Sequence, residues 1–324
     1  MQKNGRTQDS RTALYLLSVA LLILVIVSLF TGAYDIHTQA DGWQMFFITR
    51  LPRTLSLLLS GSALAMSGLV MQLLTQNRFT EPSTSGTVEW AGLGLTLVYI
   101  LVPAPTLIQR MAGAISFSFI GTLIFFGIIQ KIKLQSSLIV PVVGIMLGAV
   151  ISSFSSFLGL TFSLSQSLEV WFTGSFAQVQ KGRYEFLWLI LLIAIAIFVY
   201  ADRLMIAALG KDSATNLGAN YQGIVLVGIA MISLAVGVVT AVIGQLPFLG
   251  LIVPNIVVMW RGDNLRANLP YVCLLGMMLL TASDILARWL IAPLEMPVSL
   301  ILSLMGAGMF LILLKQSQGG AKHG

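Results

Sequence analysis

Long apolar runs separated by short polar ones organise the chain. The runs cover residues 13–32, 52–75, 87–104, 111–130, 138–160, 185–202, 222–243, 246–261, 269–290 and 296–315. A helix rises 1.5 Å per residue, so about 20 apolar residues cross a hydrocarbon core of roughly 30 Å. The pattern predicts ten transmembrane helices. A transmembrane barrel would show alternating stretches of about ten residues instead. The expected fold is therefore all-α and polytopic, a single transmembrane domain over 1–324 with tails at 1–12 and 316–324 and a long polar segment at 203–221.

The first run follows Lys3, Arg6 and Arg11. It is too long for the apolar core of a signal peptide and no A-x-A-like site follows it, so it is expected to be retained as a span. An even number of spans puts both termini on one side, and the distribution of Lys and Arg selects that side. With the N-terminus inside, the inner segments hold Lys3, Arg6, Arg11, Arg78, Lys131, Lys133, Arg203, Lys211, Arg261, Arg266, Lys315 and Lys322. The outer ones hold only Arg50, Arg53, Arg110, Lys181, Arg183 and Arg288. Both termini are expected in the cytoplasm.

Two connections exceed a simple turn. Between Thr161 and Tyr184, the stretch from Leu168 to Phe172 is amphipathic enough to lie at the membrane interface. Between Asp202 and Tyr221, a short helix from Asp212 to Leu217 is framed by Gly210 and Gly218. Asp212 suits a helix start and Gly218 a stop. Small residues recur within spans, at Gly61, Ala65 and Gly68, at Gly144 and Gly148, and at Gly306 and Ala307. They let helix backbones approach closely, here more as internal packing than as a dimer signature. The stretch from Gln245 to Gly250, with Pro247, interrupts two runs. Irregular backbone at membrane depth survives only inside protein or beside a water-filled cavity, which places this stretch by a pathway.

Composition narrows the chemistry. With 57% hydrophobic and 9% charged residues, the chain cannot be a water-exposed domain, which carries roughly 25% charged residues. The net charge of +6 reads as inner-loop cations, with no nucleic-acid partner. Cys273 stands alone, so it forms no internal disulfide or thiolate cluster. His37 and His323 lie outside the runs and offer no metal- or haem-binding pair at helical spacing. No cofactor bound by this chain is expected.

Energy coupling discriminates between kinds of transporter. Asp284 is the one acid read as lying well within a span, and Arg288 one turn later can neutralise it. That favours a structural pair over a proton relay, although an ion-coupled secondary transporter built on Asp284 stays open as an alternative. No G-x-x-x-x-G-K-[ST] phosphate cradle occurs, so ATP would be hydrolysed on a separate subunit, docking on Leu209 to Gly218. Nor is there a cluster of nucleophile, base and orienter, and the chain is read as a transport subunit, not an enzyme. Arg50 and Arg53, three residues apart at the outer mouth of the second span, and Arg288 near the end of the ninth, share one membrane face. They are either snorkelling anchors or, with their fork geometry, receivers of carboxylates on a soluble delivery protein.

These residues resemble the permease family of bacterial ABC importers for iron-siderophores, haem and cobalamin, over nearly the whole chain. The second-span signature is Arg50-Leu51-Pro52-Arg53-Thr54, then Gly61 to Gly68 and Met71-Gln72. Leu209-Gly210, Ala214 and Leu217-Gly218 are similar to the cytoplasmic coupling motif. Phe248-Leu249-Gly250-Leu251-Ile252-Val253-Pro254, Ala287-Arg288 and Glu295-Met296-Pro297 are similar to the C-terminal signatures. The resemblance implies a type II importer in the bacterial cytoplasmic membrane: a permease pair, two copies of a cytoplasmic ATPase and an extracytoplasmic siderophore-binding protein. It implies docking of that protein at Arg50, Arg53 and Arg288. It also implies ATPase coupling through Leu209, Gly210, Asp212, Ala214, Leu217 and Gly218, and an inner gate for which Ser136 and Ser137 are the loose match.

Departures from the family pattern include Asn77-Arg78 in place of Asn-Pro, Lys211 after the coupling Leu-Gly, and Asn255 after Pro254. They resemble the branch handling ferric catecholate and mixed siderophores of the enterochelin, petrobactin and anguibactin type. That branch implies a heterodimer with a second, different permease over a homodimer. Haem and cobalamin are the alternative cargoes within the family.

Overall fold

The computed structural model describes residues 2–32, 41–132 and 138–320, and among these there is no β-strand. The helices in chain order are α1 (Gln2–Phe30), α2 (Gly42–Met45), α3 (Leu51–Thr75), α4 (Thr87–Leu101), α5 (Leu107–Ile129), α6 (Ile139–Thr161), α7 (Ser165–Phe172), α8 (Trp188–Ala208), α9 (Lys211–Asn216), α10 (Tyr221–Val242), α11 (Leu249–Arg261), α12 (Leu265–Trp289) and α13 (Val298–Gly320). Eight stretches are long and apolar enough to cross a membrane: α1, α3 with its lead-in, α5, α6, α8 with its lead-in, α10, α12 and α13. The expected interfacial helix is α7, and the expected short helix in the inner connection is α9.

Of the ten expected spans, those at 87–104 and 246–261 are cut short. α4 has 15 residues and α11 has 13, about 22 and 20 Å of helix at 1.5 Å per residue. α4 starts at Thr87 as expected but ends at Leu101, where Val102 turns extended at φ −121°, and the loop ahead of it sinks into the protein. Thr80, Glu81, Thr84 and Ser85 are buried there among protein. In α11 the chain reaches Leu249 through non-helical backbone, with Gly244 at φ 104° and Phe248 at φ 64°.

α3 is the central helix and is buried along most of its length. α12, α8, α11 and α10 surround it. Two contacts explain its small residues. Gly61 lies against Gly276 of α12, and Gly68 lies against Gly250 of α11, so close that a Cβ at either position would enter the opposing backbone. The stripe at Gly61, Ala65 and Gly68 is therefore internal packing. α1, α6 and α13 lie at the periphery, with most of their apolar side chains facing outward.

The start of α3 is shaped by Pro52. Proline has no N–H and its ring crowds the carbonyl four residues back, so the chain ahead of it widens into one π-helical turn, Phe46–Arg50. The carbonyl left over, that of Ile48, accepts a hydrogen bond from the Lys181 N–H at 2.9 Å. This turn sets the relative positions of Arg50 and Arg53.

Candidate functional site

The structure brings Arg50, Arg53 and Arg288 together at the start of α3 and the end of α12. Asp284 lies between two of them and is fully buried. Arg53 Nη2 reaches Asp284 Oδ1 at 2.7 Å, and Arg288 Nη2 reaches Asp284 Oδ2 at 2.8 Å. Arg53 Nη1 also donates to both oxygens of Glu295, at 3.0 and 2.9 Å. The pairing of Asp284 with Arg288 expected from their spacing is present, and Arg53 makes it a triad.

The rest of the cluster holds the end of α1. Four carbonyls at a helix C-terminus lack intrahelical partners. Arg288 Nη1 donates to the carbonyl of Thr31 at 2.7 Å and to that of Ser28 at 3.2 Å. Arg50 Nη1 donates to the carbonyls of Phe30 at 3.0 Å and Leu29 at 3.3 Å. Cations also favour a helix C-terminus electrostatically. The three arginines are thus enclosed by this chain's own groups. Glu295 is the partly exposed carboxylate of the cluster.

At the opposite end of α3, about 37 Å away at 1.5 Å per residue over 25 residues, lies the segment Leu209 to Gly218, expected from the sequence to couple to an ATPase. Gly210 at φ 91° opens α9 and Gly218 at φ 75° follows it, both conformations that cost a side-chain-bearing residue. Ala214 is 0% exposed, and α9 packs through it against α8 and α10. Leu209 and Leu217 are 57% and 66% exposed. Gln76, in a left-handed conformation at the end of α3, donates from Nε2 to the carbonyl of Ala208 at 2.9 Å. The central helix is thereby tied to the end of α8, just ahead of α9. Ser136 and Ser137, the expected inner gate, lie outside the described residues.

Two buried acids escaped the sequence reading. Glu89 sits three residues into α4, so Asp284 is not alone in being an acid within an apolar helix, and its Oε2 is buried without a hydrogen-bond partner. Glu81 lies in the loop ahead of α4. It accepts hydrogen bonds from the Phe248 N–H at 3.1 Å and from the Ser83 hydroxyl. Its carboxylate thereby meets the N-terminus of α11, where unpaired N–H groups favour negative charge. The signal in the sequence was an acid flanked by small hydroxyl residues, Thr80 on one side and Ser83, Thr84 and Ser85 on the other. Gln72 and Asn255 complete the tie between this loop, α3 and α11 through Gln72 Nε2 to Gly250 O and Asn255 Nδ2 to Arg78 O. Ile243 and Gly244, just ahead of the interrupted stretch from Gln245 to Gly250, line a cavity on the outer side.

Residues 16–316 match the FecCD transport family. The chain belongs to that family. It is 63% identical over 296 residues to the petrobactin import system permease protein FatD of Bacillus anthracis, covering 91% of this chain and 89% of that protein. It is 37% identical to the petrobactin import system permease protein YclN of Bacillus subtilis over 92% of this chain and 96% of the relative. It is 36% identical to the ferric-anguibactin transport system permease protein FatD of Vibrio anguillarum over 91% and 96%. A solved inward-facing metal-chelate type ABC transporter superposes with a TM-score of 0.81 at 27% identity, covering 94% of this chain and 99% of its own. As a FecCD member with eight stretches of crossing length, the chain is a multi-pass membrane transport subunit.

Proposed function

We propose that this FecCD chain is the permease of an ABC importer that carries a ferric siderophore of catecholate type inward across the bacterial cytoplasmic membrane. The observation that carries the proposal is the 63% identity to a petrobactin import permease over nine-tenths of the chain, joined by the fold shared with a metal-chelate transporter. The chain completes ten membrane helices, with α4 and α11 as shortened members, and works as half of a heterodimer with a second permease. Two copies of an ATPase bind the inner face. There the exposed Leu209 and Leu217 flank a helix whose inner side is anchored, a shape that transmits force from a partner into α8 and α10. A siderophore-binding protein docks outside at Arg50, Arg53 and Arg288. An incoming carboxylate takes the place of the partly exposed Glu295 on Arg53.

The test is uptake of radio-iron-labelled ferric petrobactin by cells lacking this chain and regaining it. Uptake is expected to return with the chain and to vanish when the ATPase is inactivated. Uptake that survives the dead ATPase but collapses with the proton gradient would overturn the proposal in favour of an ion-coupled carrier. The double pairing of Asp284 speaks against that carrier.

A further inference from the structure

At the outer end of the bundle, away from the arginine cluster at α1, a cavity of about 200 Å³ opens between α4, α5, the end of α10 and the loop after α7. Its polar lining includes Tyr99, Arg110, Ser175, Gln178, Arg183 and Thr240, and no Asp or Glu lines it. Arg110 is held in place by two contacts. Its Nη1 donates to Tyr99 Oη at 2.9 Å, and its guanidinium lies 5.9 Å from the centre of the Tyr99 ring. Its Nε is buried and has no hydrogen-bond partner. Among the described residues, neither Arg110 nor Arg183 has a carboxylate within ion-pair distance. The nearest acid in sequence, Glu185, spends both oxygens on the Gly182 N–H.

Taking Arg110 partly out of water without an acid is costly, and Arg183 at the exposed rim adds a second positive charge to the field in the same cavity. The field is fixed in space, because Tyr99 orients Arg110 and the floor is tied down. Ser175 N–H donates to the Ile243 carbonyl at 3.3 Å, and Ser299 N–H donates to the Gly174 carbonyl at 3.3 Å. The Ser175 hydroxyl oxygen accepts from Ala177 N–H, which leaves its own proton free to donate.

We propose that this cavity is an outer receiving site for an anionic, oxygen-rich chelate, with Arg110 and Arg183 as the recognising groups. The inference rests on the importer reading above. The cavity is smaller than the roughly 300–1,000 Å³ that encloses a whole drug-sized ligand, so it takes one arm or edge of the chelate. Ferric complexes of catecholates and carboxylates have that chemistry: excess negative charge spread over oxygens, which forked guanidinium groups bind by charge-assisted hydrogen bonds. The irregular stretch at Ile243 and Gly244 then forms the wall past which the chelate enters.

The test uses the complete importer in proteoliposomes, loaded through its binding protein with radio-iron-labelled ferric petrobactin. Arg110→Gln with Arg183→Gln is compared with Arg110→Lys with Arg183→Lys, and co-purification of the ATPase reports that each assembles. Loss of charge-assisted hydrogen bonds predicts at least a tenfold fall in uptake for the glutamine pair, with the lysine pair within about threefold of the parent. Parental uptake by the glutamine pair overturns the site, and so does an equal loss in both pairs, which would make Arg110 a purely structural partner of Tyr99. If the glutamine pair does not assemble, Arg183→Gln alone, at the exposed rim, must lower uptake or the site is refuted. Failure of the parental importer to take up the chelate refutes the importer reading itself, a result distinct from all of these.

Discussion

Asp284 holds two arginines from different helices in a site shielded from water, and among the described residues its carboxylate is the one in ion-pair contact with Arg288. Removing one member of a buried ion pair strands the others, at a cost of about 3–5 kcal/mol. Asp284→Asn is expected to lower the thermal midpoint of the purified protein well below the parent's. An unchanged midpoint would show that the triad contributes nothing to the fold. Glu295 is the opposite case, a partly exposed carboxylate whose pairing with Arg53 is worth about 0.2–1 kcal/mol. Glu295→Gln is expected to tighten capture of the binding protein by about two- to fivefold, because it frees one edge of Arg53 for the incoming acid. Weaker or equal capture would count against docking by exchange. At this scale the sequence was legible where spacing along one helix decides the contact, as for Asp284 and Arg288. It was silent on Arg53 with Asp284, because nothing local joins residues on two helices. For the same reason Arg50 and Arg288 looked like displayed cations, while their role against the α1 carbonyls stayed hidden.

Among the elements, α9 shows how six residues can be positioned without being rigid on their own. An isolated helix of this length is unstable in water. Here two positive-φ glycines set its ends, and Ala214 fixes its inner side. Its flanking leucines stay exposed. Leu209→Asp with Leu217→Asp is expected to leave membrane insertion intact while abolishing co-purification of the ATPase. Retention of the ATPase would move the coupling surface elsewhere. α9 was readable because glycine and the first-turn acid are local signals. The lengths of α4 and α11 were not. Hydropathy counts apolar residues but cannot see that the loop at Thr80 to Ser85 sinks between helices, where protein groups replace water as hydrogen-bond partners. The small-residue stripe on α3 announced close packing, yet only the structure names Gly276 and Gly250 as its counterparts.

For the whole molecule, apolar runs and the placement of cations were enough to establish an all-helical membrane protein with a preferred orientation, because the bilayer imposes both rules on any chain. Family membership then came through motifs spread from residue 50 to residue 297. The arginine-lined cavity could not be read in advance. Its arginines lie 73 residues apart, on the counting of Arg110 and Arg183, and each taken singly resembles an ordinary interfacial cation. The same separation in sequence has a consequence during biosynthesis. Arg53 and Asp284 are 231 residues apart. At 5–20 residues per second the ribosome takes roughly 12–46 s to make the intervening chain. For that interval the second span waits in the membrane with its guanidinium unpaired. A nascent chain halted before α12 therefore displays a cation that the finished protein hides, a mark by which quality control can tell an incomplete subunit from a complete one.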